Sequence, residues 1–161
     1  MDPIRSSLLG GIGGALALLV SLLVAGLLVG ETGLFVFSTV TSLCSIAGPP
    51  YCGLGTPAAA GLTLFMFLLL FAVAWPLVYA GFTWGLPGES GVVHRVVFGV
   101  VLWVGYLAVA WVAVWRGWET VGEEVPLLVV TLLAYVIYGA VLGGGYDYFA
   151  EHRTFLSGSP T

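Results

Sequence analysis

The chain has 161 residues, of which 60% are hydrophobic and 7% charged, with a mean hydropathy of +1.10. A water-soluble domain carries about 25% charged residues, so a soluble globular fold is excluded. Eight acids against four basic residues leave a formal charge of −4, and without a basic patch nucleic acid is excluded as a partner.

Four apolar runs, residues 8–29, 58–79, 96–115 and 125–142, contain no Asp, Glu, Lys, Arg or His. Each approaches the roughly 20 residues that carry a helix across a bilayer core. The expected fold is an all-α membrane protein, a four-transmembrane-helix bundle forming a single domain over 1–161. The spans are placed at 8–29, 58–79, 92–115 and 125–142, with 146–161 as a cytoplasmic tail. Lys, Asn and Gln are absent, and all four basic residues are Arg. That composition, with the acidic balance, suits a GC-rich genome and an extreme halophile.

The first span is expected to begin after Pro3, with Ser6 or Ser7 as N-cap. Arg5 followed by an apolar stretch imitates a secretory signal. However, the run exceeds a signal's 7–15-residue apolar core, so an uncleaved span is expected. Gly13, Ala17, Ser21 and Ala25 recur at four-residue spacing and form the expected helix-packing face, since small residues let helices approach closely in lipid. Gly10 with Gly14 and Gly26 with Gly30 add further small pairs.

The first outside loop is apolar, and Gly33 to Val40 is too short to span. It is expected to be re-entrant, interfacial or extended; membrane-depth irregular backbone survives only under cover of protein. Cys44 and Cys52, the only cysteines, flank a turn-forming stretch and could close a disulfide on the oxidising side of the membrane.

In the second span, Pro76 removes a helical hydrogen bond, so a kink near Ala72 is expected. The third opens with His94 and Arg95, then carries Trp103, Tyr106, Trp111 and Trp115. Glu89, His94 and Arg95 form a candidate contact for a partner protein or lipid headgroups. Glu89 is a candidate ion-pair partner of Arg95, which could also snorkel to phosphate. The fourth opens on Glu123-Glu124-Val125-Pro126, a good helix start, and is expected to end at Gly143-Gly144-Gly145. Thr131, Tyr135 and Tyr138 share one of its faces. They would either line a small polar cavity or tie helices together by hydrogen bonds.

Loops richer in Arg tend to stay in the cytoplasm. With both termini inside, Arg5, Arg95 and Arg153 are cytoplasmic and only Arg116 is outside. The expected location is the cell membrane, multi-pass, with both termini cytoplasmic.

The reactive groups are few. His94 and His152 are the only histidines and both fall at the inner side, which excludes a haem within the bundle. A metal held by these two with Glu89, Asp147 or Glu151 is disfavoured, and no cofactor or metal is expected. No C-x-x-C pair is present, and the spans carry none of the acids or bases that usually mark an ion pathway.

His94-Arg95-Val96-Val97-Phe98-Gly99 through Tyr106, and Val136-Ile137-Tyr138-Gly139-Ala140-Val141-Leu142-Gly143, resemble segments of small four-helix integral membrane proteins of haloarchaea, of unknown function. Arg95 stands where those proteins have an apolar residue. The resemblance implies an archaeal membrane location and no particular activity.

The expectation for function is a non-enzymatic accessory or scaffold subunit that packs against a larger membrane complex, with the lipid bilayer and other subunits, or copies of itself, as partners. The alternatives are a small oligomeric transporter or channel, and a quinone- or lipid-handling membrane enzyme.

Overall fold

The computed structural model describes residues 3–29, 57–85, 91–115 and 125–157. All described elements are helical and run in four rods. Helix α1 is Pro3–Val29. The second rod is α2 (Pro57–Leu68), a π-helical turn (Leu69–Ala74) and α3 (Trp75–Gly85). Helix α4 is Gly91–Trp115 and α5 is Val125–Ser157. Three stretches are long and apolar enough to cross a membrane: Ile4–Leu28, Leu64–Gly81 and Leu128–Phe149. Val93–Ala108 in α4 is a shorter apolar stretch.

Glycine contacts give the helix directions. Gly10 meets Leu142, Gly145 and Tyr146, whereas Gly14 meets Tyr138 and Leu142. Numbers rise along α1 as they fall along α5, so the two are antiparallel. Gly99 lies on Tyr135 while Arg95 lies against Gly139 and Gly143, so α4 and α5 are antiparallel as well. Gly11 abuts Pro76 and the Ala72 carbonyl, which joins α1 to the second rod. The starts of α1 and α4 and the ends of α3 and α5 therefore gather at one end of the bundle.

Helix α1 packs along α5 and along the π turn and α3, and α5 packs along α4. Leu18 and Leu22 of α1, Phe67, Phe71 and Tyr79 of the second rod, Phe98 of α4, and Tyr138 and Leu142 of α5 form the core. The outward faces, including Leu16, Val20, Leu27, Val104 and Leu133, are apolar and exposed. Such faces suit hydrocarbon and would be costly in water.

Two expectations are corrected. The fourth helix does not stop at Gly143-Gly144-Gly145; it continues to Ser157, so the tail from 146 starts as helix. Each interior glycine weakens a helix by up to about 1 kcal/mol, but these glycines are contact points. A methyl on Gly145 would stand 2.8 Å from Gly10 Cα, and Gly143 faces Arg95 and Tyr79. Close packing offsets the propensity deficit.

Neither Ser6 nor Ser7 caps α1, because Pro3 is already helical. The Ser7 hydroxyl donates back to the Ile4 carbonyl at 2.8 Å. Among the glycines of α1, Gly10, Gly11 and Gly14 approach neighbouring helices closely, and these include the expected pair Gly10 and Gly14, whereas a methyl on Gly13 would stand 3.7 Å from Val141. Gly13, Ala17 and Ser21 are half-buried and Ala25 is buried. Ser21 donates to the Ala17 carbonyl at 2.7 Å, inside its own helix.

The irregularity expected around Ala72 takes the form of the π turn. Trp75 N–H donates to the Leu70 carbonyl, five residues back. In the same pattern the next donor would serve Phe71, but that residue is Pro76 and has no N–H. The Phe71 carbonyl is left open on the rod, and α5 supplies the missing donor.

Candidate functional site

The described charged side chains, Arg5, Arg95 and Asp147, lie toward the end of the bundle where α1 and α4 start. Arg95 projects from the first turns of α4 onto α5. Its backbone carbonyl rests against Gly139 and its aliphatic stem against Gly143, so these two glycines form a groove for one residue. The Arg95 Nη2 then pairs with Asp147 Oδ2, one turn further along α5. Both side chains are about one-quarter to one-third exposed, at 24% and 33%. Arg95 Nε is buried without a hydrogen-bond partner.

Tyr79, at the end of the second rod, closes the site from the other side. Its hydroxyl would lie 2.6 Å from a methyl on Gly143. Its ring meets Phe98 edge-on at 5.0 Å and Tyr146 at 5.9 Å. Three rods thus converge on one guanidinium–carboxylate pair bordered by aromatic rings. The pair is formally neutral and half-exposed. It can hold α4 and α5 in register and present a polar rim where helices meet solvent or headgroups.

His94 is half-buried beside Arg95. Glu89 lies outside the described residues, and the partner seen for Arg95 is Asp147. Cys44, Cys52 and residues 33–40 also lie outside them. Among the described residues, no three His, Cys, Asp or Glu side chains come together as a metal site.

Thr131, Tyr135 and Tyr138 are all buried, and each is engaged. Trp103 Nε1 donates to Thr131 Oγ1 at 3.2 Å, and Thr131 Oγ1 donates to the Leu128 carbonyl at 3.1 Å. Tyr135 stacks on Tyr106 with ring centres 5.9 Å apart and leans on Phe71. The Tyr138 hydroxyl donates to the Phe71 carbonyl at 2.7 Å, the open acceptor of the π turn. Its ring meets Phe71 edge-on at 5.3 Å. The three residues fill the core and link helices.

Sequence reasoning missed Asp147, Tyr79 and Gly99 as parts of this arrangement. Asp147 carried a usable signal: it is an acid just beyond the fourth apolar run, on the side of the membrane where the third span opens with Arg95. Gly99 carried none, because its role depends on which face of α4 meets α5.

A family model matches residues 1–157, nearly the whole chain. The chain belongs to DUF6789, a family of unknown function. Neither a curated protein nor a solved structure matches it.

Proposed function

We propose that this chain is a multi-pass protein of the cell membrane, with four helices crossing the bilayer and both termini cytoplasmic. It acts as a non-enzymatic accessory or scaffold subunit that packs against a larger membrane complex. The observation that carries this reading is how the inter-helix polar groups are used. Tyr138 serves a backbone carbonyl, Trp103 serves Thr131, and Arg95 serves Asp147. Each of these contacts joins two helices, and in lipid such bonds act as glue between them. The apolar outer faces support membrane embedding. Exposed Trp111 and Trp115 suit an interfacial aromatic belt at the outer boundary. The Lys-free acidic composition supports a haloarchaeal source.

Affinity purification from native membranes in mild detergent, followed by mass spectrometry, tests the subunit reading. A stoichiometric larger membrane partner is the expected result. A monomer or clean homo-oligomer with nothing else bound overturns it and turns attention to transport. Orientation is tested separately with compartment-sensitive reporters fused after Thr161 and before Met1. Activity of both on the cytoplasmic side is expected, and a reporter active outside refutes the assignment.

A further inference from the structure

The second rod is built in two unequal halves. Helix α3 is clamped: Pro76 sits on Gly11, and Tyr79 is wedged among Phe98, Tyr146 and Gly143. Helix α2 is not. Among its described side chains only Phe67 is buried, while Leu62, Leu64, Phe65 and Leu68 are exposed. Its substantial packing among the described helices is with the π turn that continues it. Between the halves lies Leu69–Ala74, wound with five-residue hydrogen bonding and followed by a proline.

We propose that the π turn is a hinge, and that the Tyr138 hydroxyl is the pin that holds it. The chemistry of the backbone explains why a pin is needed. A π turn accommodates one extra residue relative to an α-helix. Losing it would turn α2 by about 100° and shift it by about 1.5 Å along the rod, the increments of one helical residue. The Phe71 carbonyl stands at the point where the two windings diverge. In the π pattern its donor would be residue 76, and Pro76 has none. A buried carbonyl without a partner is unfavourable, and the 2.7 Å bond from Tyr138 supplies one. That bond favours the π winding and couples the direction of α2 to the face of α5 that carries Tyr138. Gly14 lets the Tyr138 ring reach the position, since a methyl there would stand 3.1 Å from the ring. Without the pin, α2 swings or changes register while α3 stays in place.

A ruler along the rod tests this in the full chain. Spin labels are placed at Ala58→Cys in α2 and Val78→Cys in α3, both exposed, with Cys44→Ser and Cys52→Ser to remove other labelling sites. Twenty residues of helix separate the labels, about 30 Å. The pinned protein is expected to give one narrow distance distribution. Tyr138→Phe, which keeps the ring and removes the hydroxyl, is expected to broaden the distribution or add a second distance. Pro76→Ala restores an N–H in the rod. In that background, adding Tyr138→Phe is expected to change nothing further, and this comparison remains informative if Tyr138→Phe alone fails to fold. The proposal is overturned if Tyr138→Phe leaves the distribution superimposable on the parent. It is equally overturned if the hydroxyl matters as much with Ala at 76 as with Pro, because its role would then be unrelated to the missing donor.

Discussion

Replacing Gly99 with Ala should loosen the bundle, although alanine is the better helix former. The added methyl would stand 2.6 Å from the Tyr135 carbonyl oxygen, 3.0 Å from Val136 Cα and 3.1 Å from the Tyr135 carbonyl carbon. A comfortable carbon–oxygen contact is about 3.3 Å or more, so the first falls about 0.7 Å short. All three neighbours are backbone atoms of α5 and cannot rotate away. The two helices must separate along their length, which also loosens Arg95 in its groove and Trp103 on Thr131. Overpacking of this kind costs about 1–3 kcal/mol, and the gain in helix propensity returns about 1 kcal/mol at most. A net loss of up to about 2 kcal/mol is expected. Gly105 is the control, because it lies on the same helix with nothing within 4 Å of its added methyl. Gly105→Ala should stabilise by up to about 1 kcal/mol. Equilibrium unfolding in mixed micelles, followed by tryptophan fluorescence, compares the two directly. A Gly99→Ala variant as stable as Gly105→Ala would refute the close approach of α4 to α5.

The remaining predictions concern the polar contacts. Asp147→Asn should cost about 1 kcal/mol, since the pair is partly solvated, and the loss should shrink as salt rises. Gly143→Ala pushes on the Arg95 stem, so combining it with Asp147→Asn should cost less than the sum of the two by about 0.5–1 kcal/mol; strict additivity in a double-mutant cycle would show that groove and ion pair are independent. Trp103→Phe should destabilise by about 0.6 kcal/mol, the average for inter-helix hydrogen bonds in membranes, and by no more than about 1.7 kcal/mol. The loss should largely disappear when Thr131 is already Val; an unchanged loss there would place the indole's partner elsewhere. Ser6 is fully buried and its hydroxyl has no hydrogen-bond partner. Ser6→Ala should therefore be neutral or stabilise by about 1 kcal/mol, and a clear loss of stability would reveal a partner for that hydroxyl.

The sequence by itself determined what hydropathy and backbone chemistry determine. Uncharged apolar runs demand helices that satisfy their own hydrogen bonds, so the helical rods and most of their bounds were legible. Pro76 could be read as a local defect because its missing N–H acts within its own helix. Other features depended on which faces meet, and periodicity could not supply that. Helix α1 is apolar and rich in small residues around its circumference, so its pattern offered Gly10 with Gly14 and the row from Gly13 to Ala25 alike and did not single out Gly11. Gly143-Gly144-Gly145 read as a helix end because local propensity is all a single strand of sequence reports. In the bundle the same glycines admit Gly10, Arg95 and Tyr79, and packing outweighs propensity. Tertiary structure likewise decided that Arg95 meets Asp147, 52 positions away, and that Tyr138 donates to the Phe71 carbonyl, the acceptor that Pro76 on the same rod cannot serve. The first joins antiparallel helices and the second joins parallel ones, and both exist only once the helices have chosen their neighbours.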